Sequence, residues 1–519
     1  MTATSLSVEG GALDIPEPGG GGVRVYKGIP YAAPPLGRLR WRPPEPVPAW
    51  TGVRPSNAFG PNSLQGVVWG DIDPYAVGVS EDCLYLNVWT PAAPGDGARL
   101  STMVWIHGGG FVVGSGAEPR YDGAHLAARG IVVVTLNHRL NALGFLAHPE
   151  LTAESDHRAS GNYGFLDLVA ALGWVRRNIA AFGGDPGQVT VAGESAGSFA
   201  ASALMASPLA KGLFARVIGE SGALFASPVR APASLAEAEA GGVDFMRKVG
   251  AQSLAALRAA PADAILAAAP GPGFRPIIDR WFLPRAPAEI FAAGQQSDVP
   301  LMAGWNKDEG FNFTLMQGPD AKSPYADLAR GVFGARVDEA LGHYPGGSPE
   351  ADAASAAALG GDLTIIHPTW AWIEAQRQSG RADIFRFRFD RAPMTPQGTF
   401  GERDSRDAGA FHAGEILYVF DNLDAFPWLI DDADRALARL ASSYWANFVR
   451  SGDPNGPGLP RWPSYRGSGA PVMALDTPAK AGPEEWRERH MFLKRVVDGN
   501  KKTARKKGER RGRVPRPRP

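Results

Sequence analysis

Short apolar runs and stretches of helical periodicity alternate along most of this chain. Residues 103–106, 131–136, 189–192, 217–222 and 299–304 are compact, mostly apolar runs bounded by glycine or polar turns, and they read as buried strands. Residues 81–89 and 384–389 alternate apolar and polar positions, as a strand does. Between them, residues 166–178 carry apolar side chains at helical spacing, 233–270 are Ala-rich, 320–380 read as mainly helical, and 434–449 form a strongly amphipathic helix closed by Ser451-Gly452-Asp453-Pro454. Strands that alternate with helices predict a mostly parallel sheet with helices on both faces. The helical stretch 320–380 suits a cap over the carboxyl edge of that sheet. Residues 28–48 are too Pro-rich for regular structure and are expected to wrap the surface, and 61–80 form a loop holding Trp69 and Tyr75. The glycines at 19–22 lack the Lys-Ser or Lys-Thr that a phosphate loop requires. Beyond residue 500 apolar residues almost vanish. The expected organisation is one domain over 1–499 and a basic, disordered tail over 500–519.

Composition narrows the partners. At 44% hydrophobic and 20% charged, the 519 residues describe an ordinary soluble globular protein with ample core. Lys+Arg and Asp+Glu balance at 53 each, but the last 20 residues hold ten of the basic ones and a single Glu, so the remainder is acidic. An acidic body would oppose phosphate, and no nucleic-acid partner is expected. The one cysteine, Cys83, cannot form an intrachain disulfide and favours a reducing compartment. The first ten residues have neither the basic patch nor the apolar core of a secretory signal, and no run of 18 apolar residues exists. A cytoplasmic protein without a membrane span is expected, as a monomer or homodimer.

The chemistry concentrates at Gly193-Glu194-Ser195-Ala196-Gly197, a G-x-S-x-G pattern between a strand and an Ala-rich, helix-favouring stretch. A sharp strand-to-helix turn strains the serine backbone and brings the residues two positions either side together, which calls for glycine at 193 and 197. It holds the hydroxyl above the sheet at the positive end of a helix dipole. A serine hydroxyl needs a base and an acid to orient that base. In the chain order serine, acid, histidine, four histidines qualify: 343, 367, 412 and 490. His412 is favoured, on a glycine-bounded loop at 409–414; His343 lies in a turn, His367 at a helix start, His490 among surface charges. Glu309, just past the strand ending near Gly304, is taken as the acid, with Asp308 beside it as a rival that spacing cannot separate. The amides of Gly109 and Gly110, after a strand, and of Ala196 are candidates for stabilising an oxyanion.

These motifs make the chain resemble a type-B carboxylesterase of the α/β-hydrolase fold, the family of bacterial p-nitrobenzyl esterases, animal carboxylesterases and cholinesterases. The resemblance runs from Val25 to about residue 495. It rests on Glu81-Asp82-Cys83-Leu84-Tyr85-Leu86-Asn87, His107-Gly108-Gly109-Gly110-Phe111, Phe182-Gly183-Gly184-Asp185-Pro186, the serine pentapeptide, Lys307-Asp308-Glu309-Gly310 and His412-Ala413-Gly414-Glu415-Ile416. It implies a catalytic triad of Ser195, Glu309 and His412, an oxyanion hole of Gly109, Gly110 and Ala196, and an acyl-enzyme route from esters to acids. It also implies a buried glutamate at Glu194 with Ser221 and Glu415 as its partners, a substrate pocket touching Phe111 and Phe313, and a buried ion-pair cluster of Arg40, Glu81 and Arg139. No metal and no cofactor are implied; the substrate is a small-molecule ester. The same machinery acting on an amide or carbamate is the alternative, and a non-catalytic binding protein on this fold the remote one. Many relatives pair the cysteine of Glu-Asp-Cys-Leu with an upstream cysteine; Ser63 stands at that place here. No choline-binding tryptophan can be assigned, because Trp69 is out of register. Ser221, in an echo of the serine motif, has Ala223 where the elbow has glycine. It is expected to hydrogen-bond Glu194 and not to act as a nucleophile.

Overall fold

Residues alternating along each central strand belong to two different cores, and the architecture follows from that division. In the computed structural model, which describes residues 5–66, 77–271, 273–311, 325–399, 408–466, 469 and 471–511, ten strands make the central sheet. They are β1 (Arg24–Pro30), β2 (Tyr85–Thr90), β3 (Leu100–Ile106), β4 (Val132–Leu136), β5 (Gly184–Glu194), β6 (Arg216–Glu220), β7 (Leu301–Asn306), β8 (Ile384–Phe389), β9 (Val472–Leu475) and β10 (Lys480–Gly482). Their spatial order is β1-β2-β4-β3-β5-β6-β7-β8-β9-β10. From β4 to β9 neighbours run parallel; β1, β2 and β10 are antiparallel additions at the edges. Val104, Ile106, Val132, Val134, Val191 and Val217 face one core, whereas Met103, Trp105, Val133, Ala192, Ile218 and Met302 face the other. Because both faces are covered, β4 and β6 are buried at every residue, and β4 reads as a near-continuous apolar run without alternation.

Helices α1 (Tyr163–Asn178) and α2 (Ala196–Ala206) pack on the first face. Helix α3 (Leu235–Val249) lies in the Ala-rich stretch 233–270, and α4 (His367–Ser379) in the stretch 320–380 expected to cap the carboxyl edge. Helix α5 (Asp432–Ser451) covers the second face with Leu437, Ala441, Tyr444, Trp445 and Phe448, spaced three or four apart. A capping box between Asp431 and Asp434 starts α5, and Gly452, at φ 80°, ends it. Helix α6 (Arg487–Arg511) closes the described chain. No helix among the described residues is long and apolar enough to cross a membrane.

Several expectations shift. The strand expected from residue 81 begins at Tyr85, because the Glu81 side chain turns away to pair with Arg40. The surface wrap loses residues 28–30 to β1. The ion-pair cluster is two separate pairs: Arg40 Nε meets Glu81 at 2.8 Å, while Arg139 Nε and Nη2 grip Asp167 at 2.8 and 2.6 Å. The tail expected to be disordered from 500 is helical to Arg511, since Lys, Arg and Ala are good helix formers and simply prolong α6. Trp69, Tyr75 and Phe313 lie outside the described residues. In place of a disulfide, Asn62–Ser63 and Val79–Ser80 pair as a two-residue parallel ladder that joins the ends of the 61–80 loop.

Candidate active site

The carboxyl ends of β3, β5 and β7 converge on one point, and the loops that follow them supply its chemistry. Ser195 ends β5 at φ 51° and ψ −117°, a conformation worth roughly 1–3 kcal/mol of strain in a non-glycine residue. Its amide donates to the Glu220 carbonyl on β6 at 2.9 Å, which pins the elbow to the sheet. The expected collision holds at Gly193, where a Cβ would lie 2.7 Å from the Gly197 carbonyl carbon, and the neighbouring strand adds a second constraint. A Cβ on Gly197 would lie 1.9 Å from the Ile106 carbonyl oxygen at the end of β3, and one on Gly193 would lie 2.7 Å from the same atom. The neighbouring strand demands glycine at 197, and the strand and the elbow together demand it at 193.

His412 Nε2 lies 2.9 Å from Ser195 Oγ, and its Nδ1 lies 2.7 Å from Glu309 Oε2. The other carboxylate oxygen of Glu309 accepts the Asn306 amide at 2.8 Å. Asp308, its sequence neighbour, points elsewhere: its Oδ2 accepts the Ala410 amide at 2.8 Å and its own amide donates to the Ala410 carbonyl at 3.0 Å. Asp308 thus ties the histidine loop to the β7 turn while Glu309 faces the imidazole. Asn306 adds a third tie, donating to the Phe411 carbonyl at 2.7 Å and to Glu415 at 2.5 Å. Sequence reasoning missed Asn306, because nothing in a strand-end asparagine announces partners more than a hundred residues away.

Four buried carboxylates, Glu194, Glu220, Glu309 and Glu415, gather near one imidazole. Burial alone would lower His412, but Glu194, 3.2 Å from Nε2, with Glu309 and Glu415, outweighs it and raises the imidazole to about 10. Burial raises Glu194 well above the carboxylate range, and Glu415 to about 7, with repulsion from neighbouring carboxylates adding to both. Glu220, raised by burial and by Glu415, accepts the Trp445 indole N–H at 2.7 Å. Glu194, Glu220 and Glu415 are thus each harder to ionise than a free carboxylate. Ser221 adopts φ 55°, matching Ser195, yet its hydroxyl is fully buried, does not face the cavity and makes no hydrogen bond to Glu194. Its expected bond is therefore absent, although its expected exclusion as a nucleophile agrees with this burial.

The loop after β3 is held from behind. His107, stacked on His138 at 4.9 Å and lowered to about 3 by burial, stays neutral and meets the Gly108 carbonyl at 2.8 Å. Gln65 clasps Gly114 in both directions, at 2.7 and 3.0 Å. Gly109 sits at φ 97°, where a Cβ would strike the Val113 carbonyl at 2.1 Å. Among the described residues the Gly109 and Gly110 amides donate to no protein acceptor, and Ala196 carries the first amide of α2, which lacks an intrahelical partner by position. All three residues border Ser195 in one cavity of about 1660 Å³. Phe111 lines it too, packed edge-on against Phe145, and residues of α3 and the 363–365 segment wall it, as a cap would. The remaining histidine candidates are structural. His343 stacks on Phe492, and His367 and His490 are buried around Trp370. His490 is thus not among surface charges: α6 presses it inward against Trp305 and Trp370. No group of three or more metal-ligating side chains occurs among the described residues.

Comparison with known proteins agrees with this geometry. A family model described as "Carboxylesterase family" matches residues 3–493. The fumonisin B1 esterase of Sphingopyxis macrogoltabida is 39% identical over 89% of this chain and 85% of that protein. The para-nitrobenzyl esterase of Bacillus subtilis (strain 168) is 36% identical over 88% of this chain and 92% of that protein. Among solved structures, a PNB esterase superposes with a TM-score of 0.80 at 34% identity, covering 95% of this chain and all of that one. A Geobacillus stearothermophilus carboxylesterase does so with a TM-score of 0.81, also at 34% identity and over 95% of this chain.

Proposed function

The chain belongs to the carboxylesterase family and is a carboxylic ester hydrolase of the serine-hydrolase type; from that premise we propose that Ser195, His412 and Glu309 are its triad. His412 acts in its neutral form: Glu309 accepts the Nδ1 proton, and the unprotonated Nε2 takes the Ser195 proton as Oγ attacks the ester carbonyl. The amides of Gly109, Gly110 and Ala196 receive the oxyanion, and donors of this kind each contribute roughly 3–4 kcal/mol to the transition state. His412 then protonates the departing alkoxide, and water repeats the sequence on the acyl-enzyme. The observation that carries this reading is the unbroken line from Ser195 Oγ through both imidazole nitrogens to Glu309, 2.9 and 2.7 Å.

A p-nitrobenzyl ester, of the kind for which the Bacillus subtilis relative is named, is a suitable first substrate. Ser195→Ala should lower kcat about 10⁴- to 10⁶-fold and abolish stoichiometric labelling by an organophosphate, with the fold intact. Wild-type turnover in Ser195→Ala, or a label found on another serine, rejects the assignment. A matched anilide should be cleaved far more slowly than the ester; equal kcat/KM values would reject the ester preference.

A further inference from the structure

Arg230, in the wall of the cavity, pairs with no carboxylate among the described residues. Arg230 follows the turn at Ser227, whose hydroxyl accepts its amide at 3.2 Å. Its guanidinium donates once, to the Thr364 carbonyl at 2.9 Å, and lies 4.6 Å from the centre of the Phe199 ring. Phe199 is one helical turn beyond Ser195, and Arg230, Thr364 and Phe199 share the cavity with it. Among the described residues no carboxylate pairs with Arg230. Arg230 is half-buried, and Arg139, Arg386 and Arg489 each hold a carboxylate. Arg216 also lacks one, but it turns to Gln188 and does not face the cavity.

The surroundings are positively charged as well. Arg275 and Lys248, both exposed, add positive charge to the same cavity. The acid on that wall, Glu237, is engaged by the amide and hydroxyl of Ser234. Glu194 and Glu309 face His412. Burial, and then like-charged Arg275, lowers the Arg230 guanidinium to about 10, which leaves it charged at neutral pH. Among the described residues one of its five N–H donors is engaged, which leaves an edge for a planar, two-oxygen acceptor.

We propose that the ester cleaved here carries a free carboxylate, and that Arg230 is the residue that receives it while the apolar lining holds the rest of the molecule. The inference rests on Ser195 being the nucleophile of this cavity. The carboxylate belongs either to the acyl part or to the alcohol part, and two substrate pairs separate these. Mono-4-nitrophenyl adipate against 4-nitrophenyl hexanoate places it on the acyl side; 4-acetoxybenzoate against phenyl acetate places it on the alcohol side. In one pair, Arg230→Gln should lower the ratio of kcat/KM for the charged over the neutral ester about ten- to a hundredfold, mostly through KM, as loss of a hydrogen-bonded charge pair implies. Arg230→Lys, which keeps the charge and loses the fork, should fall less than Arg230→Gln. Should the glutamine variant not fold, the lysine variant alone should still lower the ratio severalfold. Organophosphate titration of Ser195 in each variant reports an intact nucleophile, so failure of the serine assignment is seen separately. Unchanged ratios in both pairs would overturn the proposal.

Discussion

Gly197→Ala is the substitution for which the structure supplies the most direct magnitude. The added Cβ would stand 1.9 Å from the Ile106 carbonyl oxygen, 2.8 Å from the Ile106 carbonyl carbon and 3.0 Å from the His107 carbonyl oxygen. All three are backbone atoms, so no side chain can swing aside. The end of β3 and the start of α2 have to separate by about 1.1 Å before the closest contact reaches even 3.0 Å. Overpacking of a well-filled site costs up to about 3 kcal/mol. For a chain of this length, at roughly 1 kcal/mol per degree, that is a melting-point loss of about 3 °C. The catalytic cost should be larger, because the displaced strand end leads directly into Gly109 and Gly110. A 1 Å misplacement of oxyanion donors relative to the nucleophile costs about 10²-fold. Thermal unfolding by circular dichroism and kcat/KM on a p-nitrobenzyl ester measure the two effects. An alanine variant with wild-type melting point and kcat/KM would refute the claim that the neighbouring strand demands glycine at 197.

Three further tests address the carboxylates and the thiol. Glu194 is the largest charge raising His412, so Glu194→Gln should lower the imidazole and move the acid limb of the kcat/KM–pH profile to lower pH; a limb that stays or rises contradicts the electrostatic account. Glu309→Gln should lower kcat about 10⁴-fold. Asp308→Ala, which leaves the Ala410 amide unpaired at about 1–3 kcal/mol, should cost stability and far less turnover; equal kinetic losses would mean the two roles are misassigned. Burial raises the Cys83 thiol to about 12, so native protein should not react with a disulfide reagent and unfolded protein should consume one equivalent; rapid labelling of the native protein would show the thiol is accessible.

Much of the site was legible in the sequence because its central part is local. Five residues encode the elbow, three glycines after an apolar run encode a close backbone approach, and both depend on conformations that few residues other than glycine adopt. The doubly covered strands and α5 were equally legible, since two-sided burial leaves an unbroken apolar run and one-sided burial leaves a period of three to four. Spacing alone could not separate Asp308 from Glu309; the family resemblance implied Glu309, and the tertiary structure shows where each points. They are adjacent in the chain, and the β7 turn aims one at the Ala410 backbone and the other at His412 Nδ1, a difference in direction that spacing does not carry. The same holds for Asn306, whose partners lie across the sheet edge, and for His490, which looks exposed among charges until α6 packs it on Trp370. Arg230 is the clearest case. A guanidinium without an anion is invisible in a sequence, because pairing is decided by which side chains meet in space, and among the described residues no carboxylate pairs with this one.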